Sequence, residues 1–280
     1  MKAVITAAGL GTRLLSVTKE LPKEMLPLFC REGDSVVVKP LVQLIFEQLH
    51  EVGVRDFCFI IGRGKRAIED HFTPDSGFLE MLGRMGKLTS VGSFSGFYDK
   101  LRNSNIVWVN QPEPRGFGDA VLRARNFVGE DREFLVAAGD TYIITDENSH
   151  LTDLIKLHRE LGGVATLLLR RVKSPSQYGV AEIRGNAVIS LVEKPAKPSS
   201  NLAIMPFYVF DRAIFEYLEK TKPGVGSEIQ LTDAISEMIR SGLKVNALLL
   251  GDSEKEKWLD IGTPSSYWEA LKESYGWASP

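Results

Sequence analysis

Short, continuous apolar segments alternate with amphipathic, helix-like segments through the first half of this 280-residue chain. The apolar segments are Lys2–Ala7, Asp56–Ile61, Ile106–Asn110 and Phe134–Ala138. Continuous apolar strands that alternate with helices are typical of a parallel sheet covered by helices on both faces. The sequence therefore predicts an α/β fold. In sheets of this kind ligands bind beyond the carboxyl ends of the strands.

The second half of the chain has a different pattern. Strand-like segments follow one another through short turns at Ala165–Arg170, Val180–Arg184, Ala187–Glu193 and Ile204–Phe210. This spacing favours an antiparallel or mixed extension of the sheet. Thr263 and Pro264 are typical of the N-cap and first residue of a helix, predicted over 264–276. Residues 88–105 are rich in Ser and Gly without a clear period, which indicates an exposed insertion.

Composition excludes several classes of protein. A net charge of −2 offers no basic surface for nucleic acid. No apolar stretch approaches the ~18 residues of a membrane span, so we expect neither a membrane span nor a signal peptide. Cys30 and Cys58 are too few for a disulfide framework, so we expect free thiols in a cytoplasmic protein. Four histidines lie in polar, helix-like contexts without the spacing of a zinc site, namely His50, His71, His150 and His158.

A glycine loop, Gly9-Leu-Gly-Thr-Arg13, follows the first strand directly. Backbone N–H groups in such a loop can bind an anion. Arg13 adds a planar, positively charged guanidinium group. Lys23 adds a mobile positive charge for the same phosphates and lies in the segment Pro22-Lys-Glu-Met-Leu-Pro27. Leu14 stands where a dinucleotide fingerprint needs a small residue, and no Gly-Lys-Ser/Thr P-loop occurs. The segment predicts a nucleoside triphosphate site; the alternative is a tight turn without a ligand.

The segment Gln111-Pro-Glu-Pro-Arg-Gly116 follows the third strand. A glutamine amide offers a donor and an acceptor that suit the N3–H and O4 edge of uracil or thymine. Gly116 would let the backbone approach a flat base. Two prolines and a glycine also form an ordinary surface turn, and both interpretations stay open at this point.

Charged residues at other strand ends complete the candidate site. Asp140 and Asp260 come from separate strand ends and could share a Mg²⁺ ion, although either carboxylate alone could cap a turn. Glu193 would accept hydrogen bonds from sugar hydroxyls, and Lys194 would hold a phosphate. Asn201 could add an amide to the same pocket or fix a turn.

Together these segments resemble the sugar-1-phosphate nucleotidyltransferase family, and most closely its prokaryotic UTP–glucose-1-phosphate uridylyltransferase branch. The matching segments are Ala7–Arg13, Thr18–Leu28, Glu193–Pro195, Ser200–Ile204 and Glu228–Ala234. The resemblance implies one domain over residues 1–280 with a Rossmann-like, mixed but mainly parallel sheet, flanking helices and a smaller antiparallel extension. It implies a Mg²⁺-dependent, reversible reaction in which UTP and glucose 1-phosphate give UDP-glucose and pyrophosphate.

The resemblance also assigns roles to the candidate residues. The nucleotide-binding half, residues 1–145, would contact the nucleotide through Ala8, Gly9, Gly11, Thr12, Gln111 and Gly116. Arg13 would hold the β- and γ-phosphates and Lys23 the reacting phosphates. The sugar-phosphate half, residues 146–262, would bind its substrate through Gly179, Glu193, Lys194 and Asn201. Asp140 and Asp260 would bind Mg²⁺.

Two departures from the family pattern affect specificity. Ser16 stands where the family usually has proline. The run Trp258-Leu-Asp-Ile-Gly-Thr263 is more like the thymidylyl and mannose branches. The alternatives are therefore a thymidylyl- or broad-specificity transferase and a non-catalytic regulatory subunit that binds a nucleotide sugar. The second would require the loss of Arg13, Lys23 or an aspartate, and all are present. We expect a homo-oligomer, either a dimer or a tetramer.

Overall fold

The computed structural model describes residues 1–251, 253 and 256–279, with the side chains of 89 and 90 left aside. Its strands are β1 Lys2–Ala7, β2 Pro27–Glu32, β3 Ser35–Pro40, β4 Asp56–Ile61, β5 Asn105–Asn110, β6 Glu133–Ala138, β7 Thr141–Ile144, β8 Ala165–Arg171, β9 Gly179–Arg184, β10 Ala187–Glu193, β11 Leu202–Asp211, β12 Val245–Leu249 and β13 Lys257–Asp260. Its α-helices are α1 Leu15–Thr18, α2 Leu41–Glu51, α3 Arg66–His71, α4 Ser76–Arg84, α5 Leu88–Arg102, α6 Phe117–Arg123, α7 Arg125–Val128, α8 Ser149–Leu161, α9 Ile214–Lys220, α10 Leu231–Arg240 and α11 Pro264–Ala278.

Nine of these strands form one sheet in the order β5-β4-β1-β6-β11-β8-β12-β10-β9. Strands β5, β4, β1 and β6 are parallel to one another, and β12 is parallel to β8. Strands β11 and β10 run against their neighbours. This confirms the mixed, mainly parallel sheet with an antiparallel part. Two separate two-stranded antiparallel sheets are formed by the β2–β3 hairpin and by β7 with β13, which are distant in the chain.

The core lies on both faces of this sheet. Strand β1 shows why, since Ala3 and Ile5 pack into one buried cluster while Val4 packs into the other. Side chains alternate between the faces of a strand, so a strand covered on both faces is apolar at every position. Helices α2, α5 and α8 contribute to the first cluster, and α6, α9 and α10 to the second. Both faces are covered, as the continuous apolar strands predict.

The prediction of an exposed insertion at residues 88–105 is wrong. The segment forms helix α5, and its Phe97, Tyr98 and Leu101 side chains are buried in the first cluster. These residues have the 3–4 residue spacing of a helix face. The serines and glycines that precede them obscured this spacing in the sequence.

Two histidines were also misjudged. His150 and His158 lie on helix α8 and are buried, not in polar surroundings. Their Nδ1 atoms contact the hydroxyl groups of Thr145 at 2.8 Å and Thr166 at 2.9 Å. These two histidines are therefore part of the protein interior. Among the described residues, no helix has the length and apolar character needed to cross a membrane.

Candidate active site

A cleft of about 600 Å³ opens where β1, β5 and β6 end, and the first residue of β9 and the last of β10 form its other side. Thirteen of the fourteen residues predicted for the site line this cleft, namely Ala8, Gly9, Gly11, Thr12, Arg13, Lys23, Gln111, Gly116, Asp140, Gly179, Glu193, Lys194 and Asp260. Asn201 is the exception. It is exposed, and its backbone carbonyl accepts a hydrogen bond from the Val172 N–H at 2.9 Å.

The glycine loop is held in shape by Thr18. Gly11 has a φ of 65°, a conformation that favours glycine, and a Cβ there would lie 3.1 Å from the Thr18 side chain. The Thr18 hydroxyl donates to the Gly11 carbonyl at 2.8 Å, and the Leu14 N–H donates to the same oxygen. The loop thus turns tightly and leaves Gly9 and Leu10 exposed beside the cleft.

Lys23, Asp140 and Asp260 form the charged centre of the cleft. The Lys23 ammonium is hydrogen-bonded to the Asp140 carboxylate. Burial alone would lower the pKa of Lys23, but the neighbouring carboxylates, Asp140 first, outweigh it and raise the pKa. Burial alone would likewise raise the pKa of Asp140, and Lys23 holds it below its ordinary value. Both groups are therefore charged at neutral pH.

Asp260, the third member of this centre, is the last residue of β13, the strand that pairs with β7. It is the register partner of Thr141, which follows Asp140 in the chain. Burial, and then the negative charge of Asp140, raise the pKa of Asp260 to about 6. A Cβ at Gly262 would lie 2.8 Å from the Asp260 carboxylate and 3.2 Å from the Arg13 guanidinium, so both groups face this glycine.

These two aspartates fit the requirements of a divalent cation. They approach each other closely enough for one charge to oppose ionisation of the other, and a cation between them would relieve that repulsion. The described residues contain no group of three or more histidine, cysteine, aspartate or glutamate side chains placed to hold a metal. A Mg²⁺ ion here would take its other oxygen ligands from water and a bound phosphate, as Mg²⁺ commonly does.

Behind Lys23 lies an ion pair that the sequence did not predict. Glu24 also lines the cleft, and its carboxylate accepts a hydrogen bond from the Lys65 ammonium at 2.7 Å. The side chains of Glu24 and Lys65 are 2% and 7% exposed. Burial raises the pKa of Glu24, and Lys65 and Lys23 oppose that shift. Lys65 has no neighbouring motif in the sequence that links it to the site.

The predicted base-binding residues lie on one wall of the cleft. The Nε2 group of Gln111 donates to the Asp119 carboxylate at 2.8 Å and to the Gly116 carbonyl at 3.1 Å. Gly116 has a φ of 106°, and a Cβ there would lie 2.8 Å from the Ile229 carbonyl oxygen. Glycine is thus required here because the backbone of Ile229 packs against it, a contact that the sequence did not reveal.

On the opposite wall, Glu193 and Gly179 lie together. A Cβ at Gly179 would lie 3.1 Å from the Glu193 carboxylate, so glycine keeps that carboxylate accessible. The Thr232 hydroxyl donates to Glu193 at 2.7 Å, and the Lys194 ammonium lies 3.4 Å from the other Glu193 oxygen. Lys194 has a φ of 40°, which is unusual for a residue with a side chain and turns the chain sharply after β10. The Glu193 carboxylate and the Lys194 ammonium therefore lie side by side at the cleft.

Comparison with known proteins gives consistent matches over the whole chain. A family model described as nucleotidyl transferase matches residues 2–275. A UTP–glucose-1-phosphate uridylyltransferase of Bacillus subtilis is 41% identical over 248 residues, which are 85% of this chain and 80% of that protein.

Solved structures give the same result. A UTP-bound UGPase from Acinetobacter baumannii has a TM-score of 0.83 at 28% identity, and the match covers 100% of this chain and 94% of that one. A UDP-glucose pyrophosphorylase complexed with UDP-glucose has a TM-score of 0.81 at 30% identity and 98% coverage of both chains.

Proposed function

The chain belongs to the nucleotidyl transferase family, and from this premise we propose that it transfers a uridylyl group from UTP to glucose 1-phosphate. The products are UDP-glucose and pyrophosphate. The observation that carries the proposal is that a phosphate-type glycine loop, a charged Lys23–Asp140–Asp260 centre and the Gln111 amide meet in one cleft. Relatives named for this activity support the choice of UTP and glucose 1-phosphate.

In the proposed reaction, a phosphate oxygen of the sugar phosphate attacks the α-phosphorus of UTP. The new P–O bond forms as the bond from the α-phosphorus to the bridging oxygen breaks, and pyrophosphate leaves with that electron pair. The attacking oxygen is already ionised, so no general base is needed. Catalysis is then the positioning of two anions and the neutralisation of their charge. We assign this role to Arg13, Lys23 and Lys194.

We propose that Asp140 and Asp260 hold Mg²⁺ in this cleft. Bound there, the ion would neutralise phosphate charge and help orient the triphosphate. The Lys23 ammonium that now contacts Asp140 would be free to contact the α-phosphate when Asp140 binds the cation. Substitution of either aspartate by asparagine keeps the shape but removes the charge that a hard cation prefers. Each variant should shift the Mg²⁺ titration of activity, and an unchanged titration would remove that residue from the metal site.

We assign residues 1–145 to nucleotide binding and 146–262 to the sugar phosphate within this proposal. Glu193, held by Thr232, would accept hydrogen bonds from sugar hydroxyls, and Lys194 would contact the sugar phosphate. Asn201 remains part of the proposal only if the chain around it moves, because it does not line the cleft. The homo-oligomer and the cytoplasmic location expected from the sequence also stand as proposals, and light scattering measures the oligomeric state.

The test is pyrophosphate release across a grid of nucleotides and sugar phosphates. UTP, dTTP, CTP, ATP and GTP are each combined with glucose, mannose and galactose 1-phosphates. We expect UTP with glucose 1-phosphate to give the highest kcat/KM. Thymine differs from uracil only by a methyl group, which an apolar pocket discriminates by roughly 10–200-fold, and dTTP also lacks the 2′-hydroxyl of UTP, so measurable but lower use of dTTP is expected. Equal kcat/KM for UTP and ATP would refute the pyrimidine site, and no release from any pair would refute the proposed reaction.

A further inference from the structure

The base-binding wall contains a buried carboxylate that the proposed reaction does not use. Asp119 is the third residue of helix α6 and is 2% exposed. It does not line the cleft, but it accepts the 2.8 Å hydrogen bond from the Gln111 Nε2 group. Its other oxygen lies 3.4 Å from the Arg123 guanidinium, one helical turn later. The carboxylate therefore lies between an arginine and the amide that faces the base.

These contacts determine which end of the Gln111 amide faces the cleft. Both N–H bonds of Nε2 are used, one toward Asp119 and one toward the Gly116 carbonyl. With the amide reversed, Oε1 would meet two oxygen atoms at 2.8 and 3.1 Å with no proton between them. That arrangement would oppose oxygen to oxygen at both contacts, one of them with the buried Asp119 carboxylate, and is strongly unfavourable even though the Gly116 carbonyl also accepts the Ala120 N–H at 3.2 Å. The Asp119 carboxylate and the Gly116 carbonyl thus hold the Gln111 Nε2 atom on their side and leave Oε1 toward the cleft.

The oxygen of Gln111 is then the group that the side chain offers to a ligand. Among the residues that the structure describes, no donor contacts Gln111 Oε1, and no acceptor contacts the Gly116 backbone N–H. The wall thus presents an acceptor from Gln111 beside a donor from Gly116. The N3–H and O4 groups of uracil or thymine match this pair, whereas cytosine in the same position presents a bare N3 and an amino group.

We propose that Asp119 is a positioning residue that fixes the Gln111 amide with its oxygen toward the base and thereby rejects cytosine. The inference rests on the proposed function, because it assumes that a pyrimidine nucleotide binds this wall. Without the carboxylate, the amide could rotate by half a turn and present its N–H groups to cytosine N3, while the Gly116 N–H would still oppose the cytosine amino group, so part of the selectivity would remain. Asp119 would thus set base selectivity without touching the nucleotide.

The test compares Asp119→Asn with the wild type. The asparagine keeps the shape of the side chain but can donate to a reversed Gln111, so both amide orientations become possible. We expect the UTP/CTP ratio of kcat/KM to fall by about tenfold, the effect of losing one well-placed buried polar constraint. The UTP/dTTP ratio should stay constant, since uracil and thymine share the edge that Gln111 contacts.

Two further variants separate positioning from a structural role. Asp119→Ala removes the carboxylate without adding a donor and leaves only the Gly116 carbonyl to orient the amide, so we expect a smaller fall, about threefold. Asp153→Asn makes the same chemical change at an exposed position of helix α8, outside the cleft, and should leave both ratios unchanged. A loss of activity with UTP and CTP by the same factor in both Asp119 variants would make Asp119 purely structural and overturn the inference.

Equilibrium dialysis of UTP and CTP distinguishes this failure from that of the proposed function. If the wild type prefers UTP to CTP, Asp119→Asn lowers that preference and no pyrophosphate is released, the proposed reaction fails and the amide inference stands. If pyrophosphate is released but the wild type binds both nucleotides equally, or Asp119→Asn keeps the wild-type preference, the amide inference fails while the reaction stands. Binding of neither nucleotide would overturn both.

Discussion

Glu24 directly follows Lys23, the residue that we assign to the reacting phosphates, and its carboxylate forms a buried ion pair with Lys65. The perturbation that tests its role is Lys65→Met, which keeps most of the volume of the side chain but removes its charge. Glu24 then loses the ammonium at 2.7 Å and stays in a position where its side chain is 2% exposed. Loss of one partner from a buried ion pair costs about 3–5 kcal/mol in the free energy of unfolding.

The magnitude depends on burial, and the chain supplies a matched control. Arg66 follows Lys65 directly and pairs with Asp70, but those two side chains are 86% and 68% exposed. Arg66→Met should therefore change the free energy of unfolding by no more than about 0.5 kcal/mol. The double variant Glu24→Gln/Lys65→Met removes both charges and should recover most of the loss, since a neutral pair of similar volume is often as stable as the ion pair.

The assay is urea unfolding at pH 7, followed by fluorescence and circular dichroism, with the slope of the transition compared among variants. A destabilisation of Lys65→Met below about 1 kcal/mol would refute the reasoning, because the cost of an unpaired buried charge is larger. A double variant that loses the sum of the two single losses would also refute it, since coupled residues are not additive.

Three further predictions test the candidate site and the stability of the fold. Lys23→Ala should lower kcat by about 10²-fold or more, because the ammonium acts on charge that develops in the transition state; Lys19→Ala, an exposed lysine of the same segment, should have no effect. Gly116→Ala should destabilise the fold by about 2–3 kcal/mol and raise the KM for UTP, whereas Gly185→Ala, also at positive φ but with open space around it, should cost about 1 kcal/mol. Burial lowers the pKa of His150 to about 3, so at pH values between about 6.5 and 3 only the unfolded chain binds that proton. The free energy of unfolding therefore decreases as the pH is lowered from 6.5, and the decrease is about 2 kcal/mol at pH 5. His150→Asn should make the pH profile shallower by that amount, and an unchanged profile would contradict the burial argument.

The sequence predicts β1, β4 and β6 well because each is buried on both faces. Strand β4 begins and ends at the predicted residues, and Thr263 caps α11 as expected. The sequence did not predict the hairpin of β2 and β3, since both strands are partly exposed and their apolar runs, residues 28–30 and 36–38, are only three residues long. The sequence did not predict helix α5 because, among its side chains that the structure describes, the buried ones lie in its second half. Burial on one side leaves a weaker pattern in the sequence than burial on two.

In the candidate site, the sequence predicts the residues that face the cleft better than the residues that hydrogen-bond to them. Strand ends and glycine loops have local patterns, so thirteen predicted residues line one cleft. Their partners have no local pattern: Lys65 is 41 residues from Glu24, and Thr232 is 39 residues from Glu193. Asp119 is eight residues from Gln111, yet only the fold shows that helix α6 turns it back beneath the amide. Each partner fixes the charge or the orientation of a group that faces the cleft. We therefore expect substitutions at these partners to alter selectivity and pKa values, even though Lys65 and Asp119 do not line the cleft and Thr232 has no assigned contact with the substrate.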